Sequence, residues 1–166
     1  MGETTTVAEK AFSYEGLFDA QELFHLIDTY LSSVHFDYAE SINREVVKPD
    51  GRYIEIDLGP DRIVTDYVKY KLDIKITMQK LKDVEVKRDG AKVKLNEGKV
   101  RVAMAAHYVT DYAGTWETKN PVYYFIRTVV QKFFLKPVTA QYEKELKEIT
   151  DGLIHELKAF FNLGKF

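Results

Sequence analysis

No cysteine occurs among the 166 residues. That excludes disulfides, thiolate-ligated zinc, iron–sulfur clusters and thiol catalysis. Proline is scarce, at four residues, and glycine numbers nine, so the chain is neither fibrous nor of Pro/Gly-rich low complexity. No apolar run approaches the ~18–20 residues of a membrane span. The densest, 121–135, is interrupted by Arg127, Gln131 and Lys132. The N-terminus lacks a basic start followed by an apolar stretch, so no signal peptide is expected. Met1-Gly2 with Thr6 is only a short match to a myristoylation pattern. A Gly-rich phosphate loop, a Gly-x-Ser-x-Gly turn and a dinucleotide fingerprint are also missing. The expectation is a soluble, cytoplasmic protein.

The composition is 45% hydrophobic and 30% charged, which suits one domain over 1–166. A chain of this length buries roughly 70% of its unfolded surface. The net charge of -2 is unevenly spread. Residues 1–60 hold 4 basic and 12 acidic residues, whereas 61–102 hold 12 basic and 7 acidic. Lys69, Lys71 and Lys75 recur on one face of a strand, with Lys80 and Lys82 beyond. Tyr67 is the only aromatic in that row, so the stacking platform of an RNA-binding sheet is missing and a nucleic-acid partner is not expected.

Residues 4–14 read as extended, with a break at Gly16. Asp19 caps a helix over about 19–33, with Glu22 three residues on and Leu23, Ile27, Tyr30, Leu31 and Val34 at helical spacing. From residue 36 the period is two. Phe36, Tyr38, Ile42 and Val46 share one face with Glu40 and Arg44. Turns are expected at 49–51, 59–61, 89–90 and 97–98. In the clearest strand, Val68, Tyr70, Leu72, Ile74, Ile76 and Met78 alternate with the lysine row. Val100, Val102, Met104, Ala106, Tyr108 and Tyr112 form a second long face, opposite Arg101, His107 and Asp111. The connections are too short for parallel crossovers, so 36–112 is an antiparallel meander of about six strands. Asn120-Pro121 opens an apolar helix to about 135. Pro137 breaks it, and a last helix carries Tyr142, Leu146, Ile149, Leu153, Leu157 and Phe160 as its stripe.

A one-sided sheet must cover its apolar face, and the last helix can lie across it. The fold class is therefore α+β: a curved antiparallel meander of about six to seven strands gripping a long C-terminal helix. The alternating strands 63–81 and 99–112 and the helix 138–163 carry a resemblance, by element order, to the helix-grip superfamily (START and birch-pollen-allergen-like). The chain differs in having one helix after the first strand and one extra apolar helix before the last. Its Lys-, Glu- and Tyr-rich style resembles small archaeal families.

The resemblance implies a binding or carrier module for a hydrophobic small molecule between sheet and C-terminal helix. The expected lining is Tyr38, Arg44, Tyr70, Tyr108, Tyr112 and Trp116, since a tyrosine offers an apolar face and a polar tip. These tyrosines also suit a plain core. Glu40 and Arg44, inward on their strand, would hold a polar head or pair with each other. The alternative is a homodimer through the 121–135 helix, which is apolar around most of its girth. A third reading is a cyclase- or hydrolase-like enzyme in the same cavity. His25, His35, His107 and His155 form no close ligand pair, so neither metal nor cofactor is expected. His107, in phase with Asp111, is the best single acid–base candidate, and Asp66 has an inward phase. Gly152, inside the last helix, suggests a close approach or a kink.

Overall fold

The computed structural model describes residues 2–113, 122, 125–126, 128–129 and 136–163, except the side chains of 38–41, 136–138 and 163. Among these residues seven elements follow in chain order: β1 (Glu3–Phe18), α1 (Ala20–Ser33), β2 (Asp37–Lys48), β3 (Gly51–Ile63), β4 (Val68–Arg88), β5 (Ala91–Thr110) and α2 (Lys136–Leu163). The strands form one antiparallel sheet of five, ordered β1-β5-β4-β3-β2. The meander is as expected, and β1 closes onto its last strand, antiparallel to β5. The α+β class and the C-terminal helix are compatible with a helix-grip-like architecture. Among the described residues, no helix is long and apolar enough to cross a membrane.

The strands are fewer and longer than the turn signals suggest. Gly98 does not turn the chain. It stays in β5, opposite Gly16, and a Cβ there would stand 2.9 Å from the Gln79 carbonyl oxygen. The absent side chain lets β4 bulge across it. The register of β4 on β5 slips between Gln79 and Lys82, and Lys80 takes a φ of 53°. A bulge bends a strand without ending it. Gly59-Pro60-Asp61 is likewise strand, with Pro60 opposite Tyr38. The turn lies at Thr65 instead, whose hydroxyl accepts from the amides of Tyr67 and Val68.

α1 begins as the capping residue predicts. Asp19 Oδ1 accepts from Gln21 N at 3.0 Å and Glu22 N at 3.2 Å. Asn96 of β5 accepts from Ala20 N and ties the helix start to the sheet. Pro137 occupies the first turn of α2, where its missing N–H costs nothing. The core joins three stripes: Leu23, Ile27 and Leu31 from α1; Leu146, Ile149, Leu153, Leu157 and Phe161 from α2; and the inward residues of β4 and β5.

Gly152 makes a close helix–helix approach. A Cβ at this position would meet the Tyr30 hydroxyl, which donates to the Ile149 carbonyl at 2.6 Å. Gly→Ala inside a helix ordinarily gains about 1 kcal/mol. Here the methyl displaces the hydroxyl that docks α1 on α2, so the sign reverses. Gly152→Ala is expected to destabilise by about 1–2 kcal/mol. In a Tyr30→Phe background most of that penalty disappears. Urea unfolding of the four-protein cycle measures the coupling, and additive effects would refute the contact.

Candidate functional site

The inward residues of β4 present Tyr70 to α2, directly opposite Tyr108 of β5. The Tyr70 hydroxyl donates to Glu145 Oε2 at 2.6 Å. Arg62 of β3 donates from Nη1 to Glu145 Oε1 at 3.4 Å and to the Val34 carbonyl at 3.2 Å. Its guanidinium lies 5.7 Å from the Tyr70 ring centroid, and Tyr142 meets that ring edge-on at 6.1 Å. Burial, then the Glu145 carboxylate, holds the Tyr70 hydroxyl well above its ordinary pKa. It therefore stays protonated and donates. This set latches the first half of α2 onto the sheet. Tyr70 and Ile76 are 0% exposed, so no water-sized space lies against them.

Of the expected lining residues, the four whose side chains are described do not all share one face. Tyr70 and Tyr108 are buried on the inner face. Tyr112 leaves that face because Asp111, with φ 51°, breaks the alternation. Asp111 is buried in its stead. The Tyr112 hydroxyl donates to the Thr65 carbonyl, and its ring lies beneath the outward Lys69. Arg44 is exposed and sits on the outer face opposite Glu55. The cause is a register shift between Tyr38 and Ser41, which reverses the phase of the rest of β2. The side chains of Tyr38 and Glu40 and the whole of Trp116 lie outside the described residues. Asp66 is exposed in the Thr65 turn rather than inward. The expected interface helix is described at five positions, of which Phe125 and Ile126 are 70% and 53% exposed.

The opposite end of α2 is different. Phe161 stacks on Tyr14 at 4.4 Å and on Phe12 at 5.3 Å, with Phe18 edge-on at 5.9 Å. Beside this cluster a groove of about 440 Å3 opens between β1, α1, the tip of the β4–β5 hairpin and α2. Leu17, Phe18, Leu26, Leu95 and Phe160 supply apolar walls, and Asp19, Glu22, Glu156 and Arg88 the rim. A second groove of about 470 Å3 between the two helices shares Glu22, Leu26, Glu156 and Phe160. The sequence reading missed this end. Its signals were the alternation of Phe12 and Tyr14 on β1 and the Phe160-Phe161 pair.

On the outer face His107 bridges three strands. Its Nδ1 is 2.9 Å from the Thr6 hydroxyl and its Nε2 is 3.0 Å from Asp73 Oδ2. Asp73, rather than Asp111, is its carboxylate. The lysine row is neutralised by its neighbours: Lys69 pairs with Asp61, Lys71 with Asp73 and Lys75 with Glu55. Among the described residues no cluster of His, Asp and Glu could hold a metal ion. No protein-family model matches this chain, and no curated protein matches it.

A tyrosine whose folded pKa lies above its unfolded value, near about 10, adds stability that is whole below that pH. The contribution is lost as the pH climbs toward the folded value. Tyr70 and, by burial and then Glu156, Tyr30 are both raised. Stability is therefore expected to fall above about pH 10. Tyr70→Phe should flatten that fall while costing about 1–3 kcal/mol at neutral pH, because Glu145 loses a donor. Urea unfolding between neutral and alkaline pH measures both, and an unchanged alkaline slope would count against the latch.

Proposed function

We propose that this chain is a binding module for a small hydrophobic molecule held between the sheet and the C-terminal helix, as the resemblance to helix-grip proteins implies. The observation that carries the reading is the groove at the C-terminal end of α2. Its volume, about 440 Å3, falls in the range of small-ligand sites. Aromatic and aliphatic side chains form its walls, and the charges stand at its rim. A ligand there would bury its apolar part against Phe18, Leu95 and Phe160 and keep any polar group toward solvent. The Tyr70 end is less suited, because Tyr70, Glu145 and Arg62 already satisfy one another.

Binding is favoured over catalysis on the same ground. An enzyme needs polar groups that converge on a reacting atom and retain unmet hydrogen-bonding capacity. The described groove offers apolar walls, and Asp19 on its rim is committed to the helix cap.

An environment-sensitive apolar fluorophore such as N-phenyl-1-naphthylamine tests this. The wild type is expected to enhance its emission. Ala159→Trp, which fills the groove, should weaken binding by about tenfold or more without changing the far-UV spectrum. Ile76→Val, in the sealed part of the core, should leave binding unchanged. Native mass spectrometry of the purified chain reports any co-purified ligand. A chain that binds no probe, or binds it equally well after Ala159→Trp, would overturn the reading.

A further inference from the structure

We propose that the free edge of β2 is a self-association surface, through which two copies of this chain pair antiparallel about a two-fold axis and join their sheets. β2 ends the strand order, with β3 on one side and no strand on the other among the described residues. Such an edge presents a row of backbone N–H and C=O groups that can accept another strand. Its side chains are unusual for an edge left in water. Ile42 is 60% exposed, Val46 42% and Val47 77%. At the other edge, Val7, Phe12 and Tyr14 of β1 pack against the core. Among the described strand residues, three of the four large apolar side chains left exposed lie on β2, and the fourth is Ile63 at the end of β3.

The pattern on β2 is complementary to itself. Ile42 lies opposite Asp57 and Val46 opposite Tyr53 on β3, so both occupy the outer face, with Arg44 midway between them. Antiparallel pairing with the axis through Arg44 sets Ile42 of each copy against Val46 of the other. Two apolar cross-strand pairs then flank the axis. Arg44 meets its own counterpart there, and Glu55 stands opposite Arg44 within each copy. Across the junction the outer row reads acid, base, base, acid. The two bases oppose pairing, so the association is reversible. A two-fold contact consumes each β2 edge once and closes at a dimer instead of propagating a fibre.

Sedimentation equilibrium of the full chain between about 1 and 500 μM tests this. A monomer–dimer equilibrium that tightens with added salt is expected, because salt screens the Arg44 pair. Val46→Lys should raise the dimer Kd about tenfold or more, and Arg44→Thr should lower it by about threefold or more. Both positions are exposed, and circular dichroism confirms that the variants fold. A monomer at every concentration would overturn the proposal. So would a dimer indifferent to Val46→Lys and Arg44→Thr that dissociates on Phe125→Lys, which would assign the contact to the 121–135 segment.

Discussion

The fold depends on one burial event, the laying of α2 across the inner face of the sheet. Leu146, Leu153 and Leu157 from the helix and Leu72, Ile74, Ile76 and Met78 from β4 are all at most 2% exposed. β4 is the axis of this contact. It pairs with β5 over nineteen register positions and with β3 over nine. A strand of 21 residues cannot stay straight while covering a helix. The bulge at Lys80 and the glycine opposite it supply the bend. Without α2 the even-numbered residues of β4 would face water, and the sheet would have no reason to hold its register.

The two ends of α2 are held by different physics, and that difference decides where a ligand could enter. At the first end, hydrogen bonds from Tyr70 and Arg62 converge on one carboxylate of Glu145. Such a set is directional and satisfied, and displacing any member leaves a polar group unpaired. At the far end, Phe161 stacks on Phe12 and Tyr14 of β1, an apolar contact. Apolar contacts are non-directional and can be exchanged for contacts with a ligand of similar surface. The accessible groove lies at the apolar end. Tyr30, bonded to Ile149 between the two ends, keeps α1 fixed while the end beyond it stays open.

Much of the fold was legible because alternation and helical periodicity are strong signals. The inner and outer faces of β4 and β5 follow the period of two without exception from Val68 to Gln79 and from Val100 to Tyr108. The helix cap at Asp19 and the stripe of α2 were equally plain. The expected lining was legible only in part, because two of its members, Arg44 and Tyr112, sit where the period fails. A register shift after Tyr38 turns Arg44 outward, and a left-handed Asp111 exchanges its place with Tyr112. One extra residue in a strand is invisible to a count of alternating side chains, yet it reverses every face beyond it. The glycines misled for a related reason. Gly98 serves close packing inside a strand, whereas Gly59 lies within β3 with open space beside it, and sequence alone does not separate either use from a turn.

Strand pairing also decides how charge is arranged on the outer face. Lysine is in excess in 61–102 and acid in 1–60. Antiparallel pairing interleaves them. β3 carries Glu55 and Asp61 alongside Lys75 and Lys69 of β4, and the lysine Nζ atoms lie 2.8 and 3.1 Å from the carboxylates. Lys75 and Tyr53 hold the Glu55 carboxyl below the usual carboxylate range. A cation already paired to a neighbouring strand offers little to a phosphate backbone, whose affinity for a protein comes from releasing counterions. Along the β3–β4 seam, charge segregated in the sequence thus becomes charge paired between strands. What remains unbalanced is the edge itself, where Ile42, Val46 and Val47 have no facing strand among the described residues.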